Sequence, residues 1–299
     1  MKQTIREHLL KSGREAGGRI SLLLIAVLFA GCANNLFYHP THTTYLTPAR
    51  NGYTYEDVTF SSGDGVQLHG WYIPAQPDEA APAKGIVIHF HGNAQNMTAH
   101  YAYVAWLPLA GYDVFVFDYR GYGQSAGKPN RKGMYADSIA AINYVMQRNV
   151  EQHPVFIIGQ SLGGAQAVTA VGRAQIQGIS GMLLDSTFYS YQSAARSALA
   201  RNVFTKMLSI ATPLLVSDGL DPADWVSAIS PTPVTFIHGT RDQVVPLAHS
   251  KALYARAQEP KDLWIVEGGQ HTDALSRHRA TYIPKILQFF AEAAEAAKL

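Results

Sequence analysis

The chain has 299 residues, 47% of them hydrophobic, with 24 basic and 22 acidic side chains and a formal net charge of +2. This apolar content excludes an intrinsically disordered protein, and the length suits one large α/β domain or two smaller ones. Basic residues form no run, so we predict no nucleic-acid partner. The one cysteine, Cys32, excludes an intrachain disulfide and a metal site built from cysteines.

The first 31 residues have the three-part pattern of a secretory signal peptide. Residues 1–19 are polar and positively charged, Ile20–Ala30 is almost purely apolar, and the small residue Gly31 follows. This apolar run is too short for a helix that spans a bilayer, which needs about 20 residues. The pattern therefore predicts export, with residues 1–31 as the signal peptide.

Cys32 lies directly behind the apolar run and resembles the lipidated cysteine in the lipobox of bacterial lipoproteins. The position three residues before it is Phe29, where that family usually has Leu. The resemblance implies that Cys32 carries acyl chains, that residues 32–52 form a tether, and that the protein is anchored to a membrane of the cell envelope. Ala33 after the cysteine implies sorting to the outer membrane. The alternative is ordinary cleavage after Ala33, which releases a soluble periplasmic or secreted protein.

Two strands open the folded part of the chain, which we place at residues 53–299. Tyr53–Phe60 and Val66–Ile73 are joined by a turn rich in glycine, which predicts a hairpin. Beyond residue 84, buried strand patterns alternate with helical patterns, as in a mostly parallel sheet flanked by helices. The predicted strands are Gly85–Phe90, Asp113–Tyr119, Pro154–Gly159, Gly181–Asp185, Pro233–Gly239 and Asp262–Gly268. The predicted helices are Tyr101–Leu109, Met134–Arg148, Leu162–Arg173 and Tyr282–Ala294.

The interval 186–231 interrupts this alternation, because its apolar residues follow a helical spacing over Tyr191–Met207 and Asp224–Ile229. An insertion at the ends of the strands predicts a small helical cap over a ligand crevice. The alternative is a set of longer edge helices. Four aromatic side chains of this interval either line an acyl pocket or belong to the core: Phe188, Tyr189, Tyr191 and Trp225.

The sequence GQSLGG at residues 159–164 lies between a predicted strand and a predicted helix, which is the setting of a GxSxG nucleophile turn. A serine at such a turn takes up a strained backbone conformation, and the flanking glycines leave room for the chain. Its hydroxyl then projects at the carboxyl edge of the sheet, at the positive end of the following helix. We therefore predict that Ser161 is a nucleophile.

A serine nucleophile needs a histidine base that is held by a carboxylate. Of the twelve histidines, His271 is the best candidate, because it lies in a glycine-rich loop just after the last strand. Asp242 follows the strand that ends at residue 239, and Asp185, at the end of an earlier strand, is the competing acid. The order Ser161, Asp242, His271 favours Asp242. His238 lies within a strand, which indicates a role in packing.

The developing oxyanion needs two converging N–H donors. The loop HGN at residues 91–93 follows the first parallel strand, and Leu162 follows the nucleophile. We predict that the backbone N–H groups of Asn93 and Leu162 form the oxyanion hole. His91 is interpreted as a residue that shapes the loop.

Five segments together resemble the α/β-hydrolase superfamily, in particular its serine-aminopeptidase-like and α/β-hydrolase-domain-containing branch, which includes eukaryotic depalmitoylases. They are HFHGNAQN (89–96), DYRGYGQSAGKP (118–129), GQSLGG (159–164), HGTRDQVVP (238–246) and GGQHTDA (268–274). The resemblance implies an α/β-hydrolase fold and places the family's nucleophile, acid and base on Ser161, Asp242 and His271. It also implies that Asp118, Arg120 and Asp137 brace a loop.

These patterns predict a serine hydrolase that cleaves a carboxyl ester or thioester of a small acyl substrate, without a cofactor or a metal ion. Two alternatives remain open. One is a serine peptidase of the same fold, and the other is a non-catalytic envelope lipoprotein on a hydrolase scaffold.

Overall fold

The computed structural model describes residues 37–76, 82–201, 209, 212 and 219–298. The described strands are β1 (His39–Pro40), β2 (Glu56–Ser61), β3 (Gln67–Ile73), β4 (Ile86–Phe90), β5 (Ala94–Gln95), β6 (Asp113–Phe117), β7 (Val155–Gln160), β8 (Ile179–Asp185), β9 (Val234–Gly239) and β10 (Lys261–Val266). The described α-helices are α1 (Met97–His100), α2 (Arg131–Arg148), α3 (Leu162–Ala174), α4 (Tyr191–Ala200), α5 (Pro222–Trp225), α6 (Ala248–Arg256) and α7 (Arg279–Ala296).

Eight strands form one sheet in the order β10-β9-β8-β7-β4-β6-β3-β2. The pairs β2–β3 and β3–β6 are antiparallel, and the other neighbouring pairs of this sheet are parallel. The predicted fold class, a mostly parallel sheet flanked by helices, is confirmed. Since β7 lies between β4 and β8, the loops that follow these three strands meet at one edge of the sheet.

Alternating side chains of the central strands enter two apolar cores, one on each face of the sheet. Along β4, Ile86 and Ile88 belong to the core that α2 and α3 cover, whereas Val87 belongs to the core on the other face. Tyr282 and Phe290 of α7 pack into that second core. Burial on both faces explains why the central strands are continuous apolar runs.

The predicted hairpin is confirmed as β2 and β3, but the predicted helix over Tyr101–Leu109 is wrong. Tyr101–Tyr103 and Pro108–Ala110 form separate 3-10 turns, and the short helix α1 precedes them. Pro108 has no backbone N–H, so a helix through this position would lose a hydrogen bond. The Asn96 side chain accepts a hydrogen bond from Thr98 N and caps the start of α1.

The interval 186–231 is described only in part. Its described residues form α4, α5 and a 3-10 turn over Val226–Ile229, while much of 202–218 lies outside the description. The small cap therefore stays a prediction. The predicted signal peptide and Cys32 also lie outside the described residues. Among the described helices, none has both the length and the apolar character that crossing a membrane requires.

The segment 37–52, which the sequence assigned to a tether, packs against the domain. β1 pairs in parallel with β5 in the loop that follows β4, and Thr41 N donates to Gln95 O at 2.9 Å. Tyr38 is buried. The side-chain amide of Asn96 donates to the carbonyls of Thr41 and Thr43 at 3.0 and 2.8 Å. The segment thus holds the loop that carries Asn93.

Candidate active site

Ser161 forms the sharp turn between β7 and α3. Its backbone has φ 53° and ψ −111°, a strained conformation for a residue with a side chain. A Cβ atom on Gly159 would lie 2.6 Å from Gly164 Cα, and one on Gly163 would collide with the Phe90 carbonyl. Only glycine therefore fits on either side of the turn. This geometry agrees with the nucleophile turn expected from the sequence.

Asp242 and His271 are brought together although they are far apart in the chain. His271 Nδ1 lies 2.7 Å from Asp242 Oδ2, and Asp242 Oδ1 accepts hydrogen bonds from the backbone N–H groups of Val244 and Val245 at 2.7 and 2.8 Å. A carboxylate only accepts, so Nδ1 of His271 carries the proton and Nε2 offers a lone pair. The Asp242 side chain is fully buried, whereas that of His271 is 21% exposed.

His238 is a partner of Asp242 that sequence reasoning missed. Its Nε2 lies 2.7 Å from Val245 O and 3.1 Å from Asp242 Oδ2, and its Nδ1 lies 2.7 Å from Ser250 Oγ. A carbonyl also only accepts, so Nε2 is the donor to both oxygens. The spacing of four residues between His238 and Asp242, across the end of β9, was the available signal.

Burial and hydrogen bonding act in opposite directions on the pKa of Asp242. Burial raises the pKa of this carboxyl. Hydrogen bonds from His238 and His271, together with electrostatic attraction to His271, lower it by more. The net pKa of Asp242 therefore lies well below its usual range. The carboxylate stays charged near neutral pH and stabilises a protonated His271.

Asp185, the competing acid, has a different environment. It is 1% exposed, and its Oδ1 accepts a hydrogen bond from Ser186 Oγ at 3.0 Å. Burial raises the pKa of Asp185 to about 6, and the hydrogen bond from Ser186 only partly offsets this effect. The carboxylate hydrogen-bonded to the imidazole of His271 is that of Asp242 and not that of Asp185.

The dipeptide 185–186 connects the nucleophile turn to the histidine loop. Ser161 N donates to Asp185 O at 2.8 Å, and Thr272 N donates to Ser186 Oγ at 3.0 Å. Among the described residues, no hydrogen bond joins Ser161 Oγ directly to His271. Hydrogen bonds between a nucleophile and its base are often long in free enzymes and shorten when substrate binds.

Asn93 and Leu162 flank the nucleophile turn. Leu162 is the first residue of α3, and the N–H groups of the first helical turn have no partner within the helix. Within the described part of the chain, no acceptor binds the backbone N–H of Asn93 or of Leu162. The Asn93 side chain is fixed, because its Nδ2 donates to Phe37 O at 2.5 Å and its Oδ1 accepts from Tyr122 OH at 3.0 Å.

The bracing residues that the resemblance implied form two groups. Arg120 forms two ion pairs. Its Nη2 lies 2.8 Å from Asp137 Oδ1, and its Nη1 lies 2.7 Å from Asp64 Oδ2. Asp118 Oδ1 instead accepts from Met97 N at 2.7 Å, at the start of α1. Both groups hold loops near the carboxyl edge of the sheet. Over the described ranges, no set of three or more His, Cys, Asp or Glu side chains is placed to hold a metal ion.

Comparison with known proteins agrees with this architecture. The family described as "Serine aminopeptidase, S33" matches residues 81–228. The chain is 37% identical over 263 residues to the uncharacterized protein YfhR of Escherichia coli K12, covering 87% of this chain and 88% of YfhR. It is 30% identical over 255 residues to the α/β hydrolase domain-containing protein WAV2 of Arabidopsis thaliana, covering 82% and 81%.

The fold also matches a solved esterase structure from Pyrococcus furiosus. The TM-score is 0.70 at 22% identity, and the match covers 86% of this chain and 98% of the esterase. At that identity the likeness shows the fold. The relatives above show that the chain belongs to the α/β-hydrolase family, and the esterase structure has the same fold.

Proposed function

We propose that the protein is a serine hydrolase that cleaves a carboxyl ester or thioester through an acyl-enzyme intermediate. The observation that carries the proposal is the 2.7 Å contact between His271 Nδ1 and the buried Asp242 carboxylate. It fixes the tautomer in which Nε2 can accept the proton of a serine. Ser161 lies at the strained β7–α3 turn, and its backbone N–H donates to Asp185 O. The next residue, Ser186, accepts a hydrogen bond from Thr272 N, which follows His271 in the chain.

In the proposed mechanism, His271 Nε2 takes the proton of Ser161 while Oγ attacks the carbonyl carbon. The electron pair of the carbonyl moves onto its oxygen, which the N–H groups of Asn93 and Leu162 stabilise by about 3 kcal/mol each. The C–O or C–S bond then breaks, and the protonated His271 gives its proton to the leaving group. Asp242 stabilises the imidazolium throughout. In the second half of the reaction, His271 takes a proton from water, and the water oxygen attacks the acyl carbon. The bond between that carbon and Ser161 Oγ then breaks, Oγ takes the proton back from His271, and the acid is released.

A serine peptidase of the same fold is the second candidate, and the description of the matching family favours it. We favour an ester or thioester because apolar rings lie at the carboxyl edge of the sheet beside this site. Phe188 and Tyr191 follow β8, and the half-buried Phe37 contacts both rings. The half-buried Phe37 ring, supported by the two buried rings, suits an acyl group better than the charged amine of a peptide. The substrate is then a small acyl compound.

A fluorophosphonate probe tests the proposal, because it reacts with activated serines. We expect labelling of the wild-type protein and none of Ser161→Ala. Ser227→Ala is the matched control, since Ser227 is an exposed serine of the 3-10 turn Val226–Ile229, and it should label like the wild type. Labelling that persists in Ser161→Ala would show that another residue is the nucleophile. No labelling of folded wild type would favour the non-catalytic alternative.

We also propose that Cys32 is lipidated and anchors the enzyme to a membrane of the cell envelope. The signal-peptide pattern and the lipobox-like position of the cysteine support this proposal. Metabolic labelling with palmitate should mark the wild-type chain and leave Cys32→Ser unmarked. Labelling of neither chain would favour ordinary cleavage and a soluble exported protein. Equal labelling of both would place the acyl chain on a residue other than Cys32 and overturn the proposal.

A further inference from the structure

Phe37 bridges the two loops that flank the nucleophile turn. Its carbonyl accepts from Asn93 Nδ2, in the loop that follows β4. Its ring lies 6.4 Å from the ring of Phe188 and 5.3 Å from that of Tyr191, both of which follow β8. In the sheet, β7 is the one strand between β4 and β8. Phe37 therefore lies across the end of the strand that carries Ser161.

The position of Phe37 is fixed by its neighbours. The next residue, Tyr38, is buried, and burial raises its pKa to about 12, against the lowering effect of Arg131 and a hydrogen bond with Tyr191. The pairing of β1 with β5 follows directly in the chain. These neighbours hold the backbone of Phe37, and Phe188 and Tyr191 hold its ring. A residue that selects between substrates requires such a fixed position.

The chemistry of an acyl-enzyme leaves one direction for the acyl chain. The oxyanion must face the N–H groups of Asn93 and Leu162, and the leaving group must face His271, which protonates it. The acyl substituent points in the remaining direction, away from the histidine loop. Only the backbone carbonyl of Phe37 binds Asn93, and its half-buried ring lies away from that amide, against Phe188 and Tyr191. The ring thus borders the site beside the oxyanion donors, where the remaining direction is open to it.

We propose that Phe37 is a specificity-determining residue that contacts the acyl chain of the substrate. The substrate class is then an ester or thioester with an apolar acyl chain several carbons long. This inference rests on the proposed serine hydrolase function. Phe188 and Tyr191, which are 3% and 2% exposed, support the Phe37 ring from behind and do not themselves form the contact surface.

The test compares p-nitrophenyl acetate with p-nitrophenyl octanoate for the full chain and its variants. We expect the acetyl group to be too short to reach the Phe37 ring and the octanoyl chain to gain from contact with it. In Phe37→Ala we expect the octanoate-to-acetate ratio of kcat/KM to fall about tenfold, mainly through a higher KM for octanoate. Phe37→Leu keeps an apolar side chain of similar volume and should lower the ratio less than threefold.

Phe289→Ala is the matched control, because Phe289 is also half-buried but packs beside Gly181 near the start of β8, at the end of the strand remote from Asp185. Its ratio should equal that of the wild type. An unchanged or higher ratio in Phe37→Ala, with Ser161 still labelled by the fluorophosphonate probe, would overturn the role of Phe37 alone. Loss of probe labelling in the wild type would instead contradict the proposed function.

Discussion

Two buried carboxylates follow neighbouring strands of the sheet, and they differ in the donors that surround them. Asp242, after β9, accepts hydrogen bonds from two backbone N–H groups and contacts His238 and His271. Asp185, at the end of β8, accepts a hydrogen bond from Ser186, and within the part of the chain that the structure describes its Oδ2 has no hydrogen-bond partner. The pKa of Asp242 is therefore lowered, and that of Asp185 is raised to about 6.

The difference shows that burial alone does not make an acid suitable as the partner of a base. Removing a carboxylate from water favours its neutral form, and only several donors reverse that preference. Asp242 has those donors and stays charged beside His271. Asp185 lacks them, and we infer that it places Ser186 and the backbone that joins the Ser161 turn to the loop carrying His271. The predictions below test this division of roles.

The largest effect should separate the two acids directly. Asp242→Asn removes the charge that stabilises the imidazolium and disturbs the tautomer of His271, so kcat should fall by roughly 10⁴-fold. Asp185→Asn is the matched substitution one strand away, and its kcat should stay within about tenfold of the wild type, since it keeps a hydrogen-bond acceptor for Ser186. Steady-state hydrolysis of a p-nitrophenyl ester measures both. Equal losses of kcat in the two variants would contradict the different roles assigned to Asp242 and Asp185.

His238 should matter because it donates to Asp242. His238→Leu removes the donor at Nε2 and should lower kcat about tenfold with little change in KM, as expected for a hydrogen bond to a charged group. His238→Gln can place an amide donor near the same position and should recover most of the loss. If both variants lose activity equally, His238 serves packing, as its place in β9 first indicated.

Ser186 should have a smaller effect, through the histidine loop. Ser186→Ala removes the acceptor for Thr272 N, and we expect about 1 kcal/mol lower stability to chemical unfolding and a severalfold lower kcat. Ser186 has φ 55°, so Ser186→Gly loses the same hydrogen bond but relieves the backbone. Glycine should therefore lower kcat like alanine while costing less stability. Wild-type kcat in both variants would show that the loop is held by other contacts.

The effect expected to be smallest on activity concerns the pH dependence of stability. Because the pKa of Asp185 is raised from 3.8 to about 6 in the fold, its contribution to stability is fully present below pH 4 and is lost as the pH rises to about 6. Asp185→Asn should therefore gain stability over the wild type between pH 4 and pH 7, by at most about 3 kcal/mol. Urea unfolding at both pH values measures the difference. A difference that does not change with pH would show that Asp185 is charged throughout this range.

The sequence allowed Ser161 and its turn to be predicted because the signal is local: strand, glycines and helix follow one another within GQSLGG. Asp242 and His271 required an additional argument from chain order. Ser186 could not be assigned a role, since its partner Thr272 lies on another loop. His238 was assigned to packing, because its contact with Asp242 forms only when the loop after β9 turns back onto the strand. Phe37 could not be found either, because the contact between the segment 37–52 and the loop carrying Asn93 is formed only in the folded chain.

The central strands of the fold could be predicted, whereas the region that follows α1 could not. The buried strands β4, β7 and β8 are continuous apolar runs, a pattern that leaves few alternatives. The region from Tyr101 to Leu109 also has apolar residues at helical spacing, yet it forms 3-10 turns, because Pro108 and the tertiary packing of Tyr101 override that preference.

The most direct measurement is a crystal structure of the protein after reaction with a phosphonate ester. The account predicts phosphorus bonded to Ser161 Oγ, one phosphonyl oxygen within about 3 Å of both N–H groups of Asn93 and Leu162, and His271 Nε2 within hydrogen-bond reach of the adduct. An adduct on another side chain, or an imidazole at 271 that stays turned away from the modified serine, would contradict it.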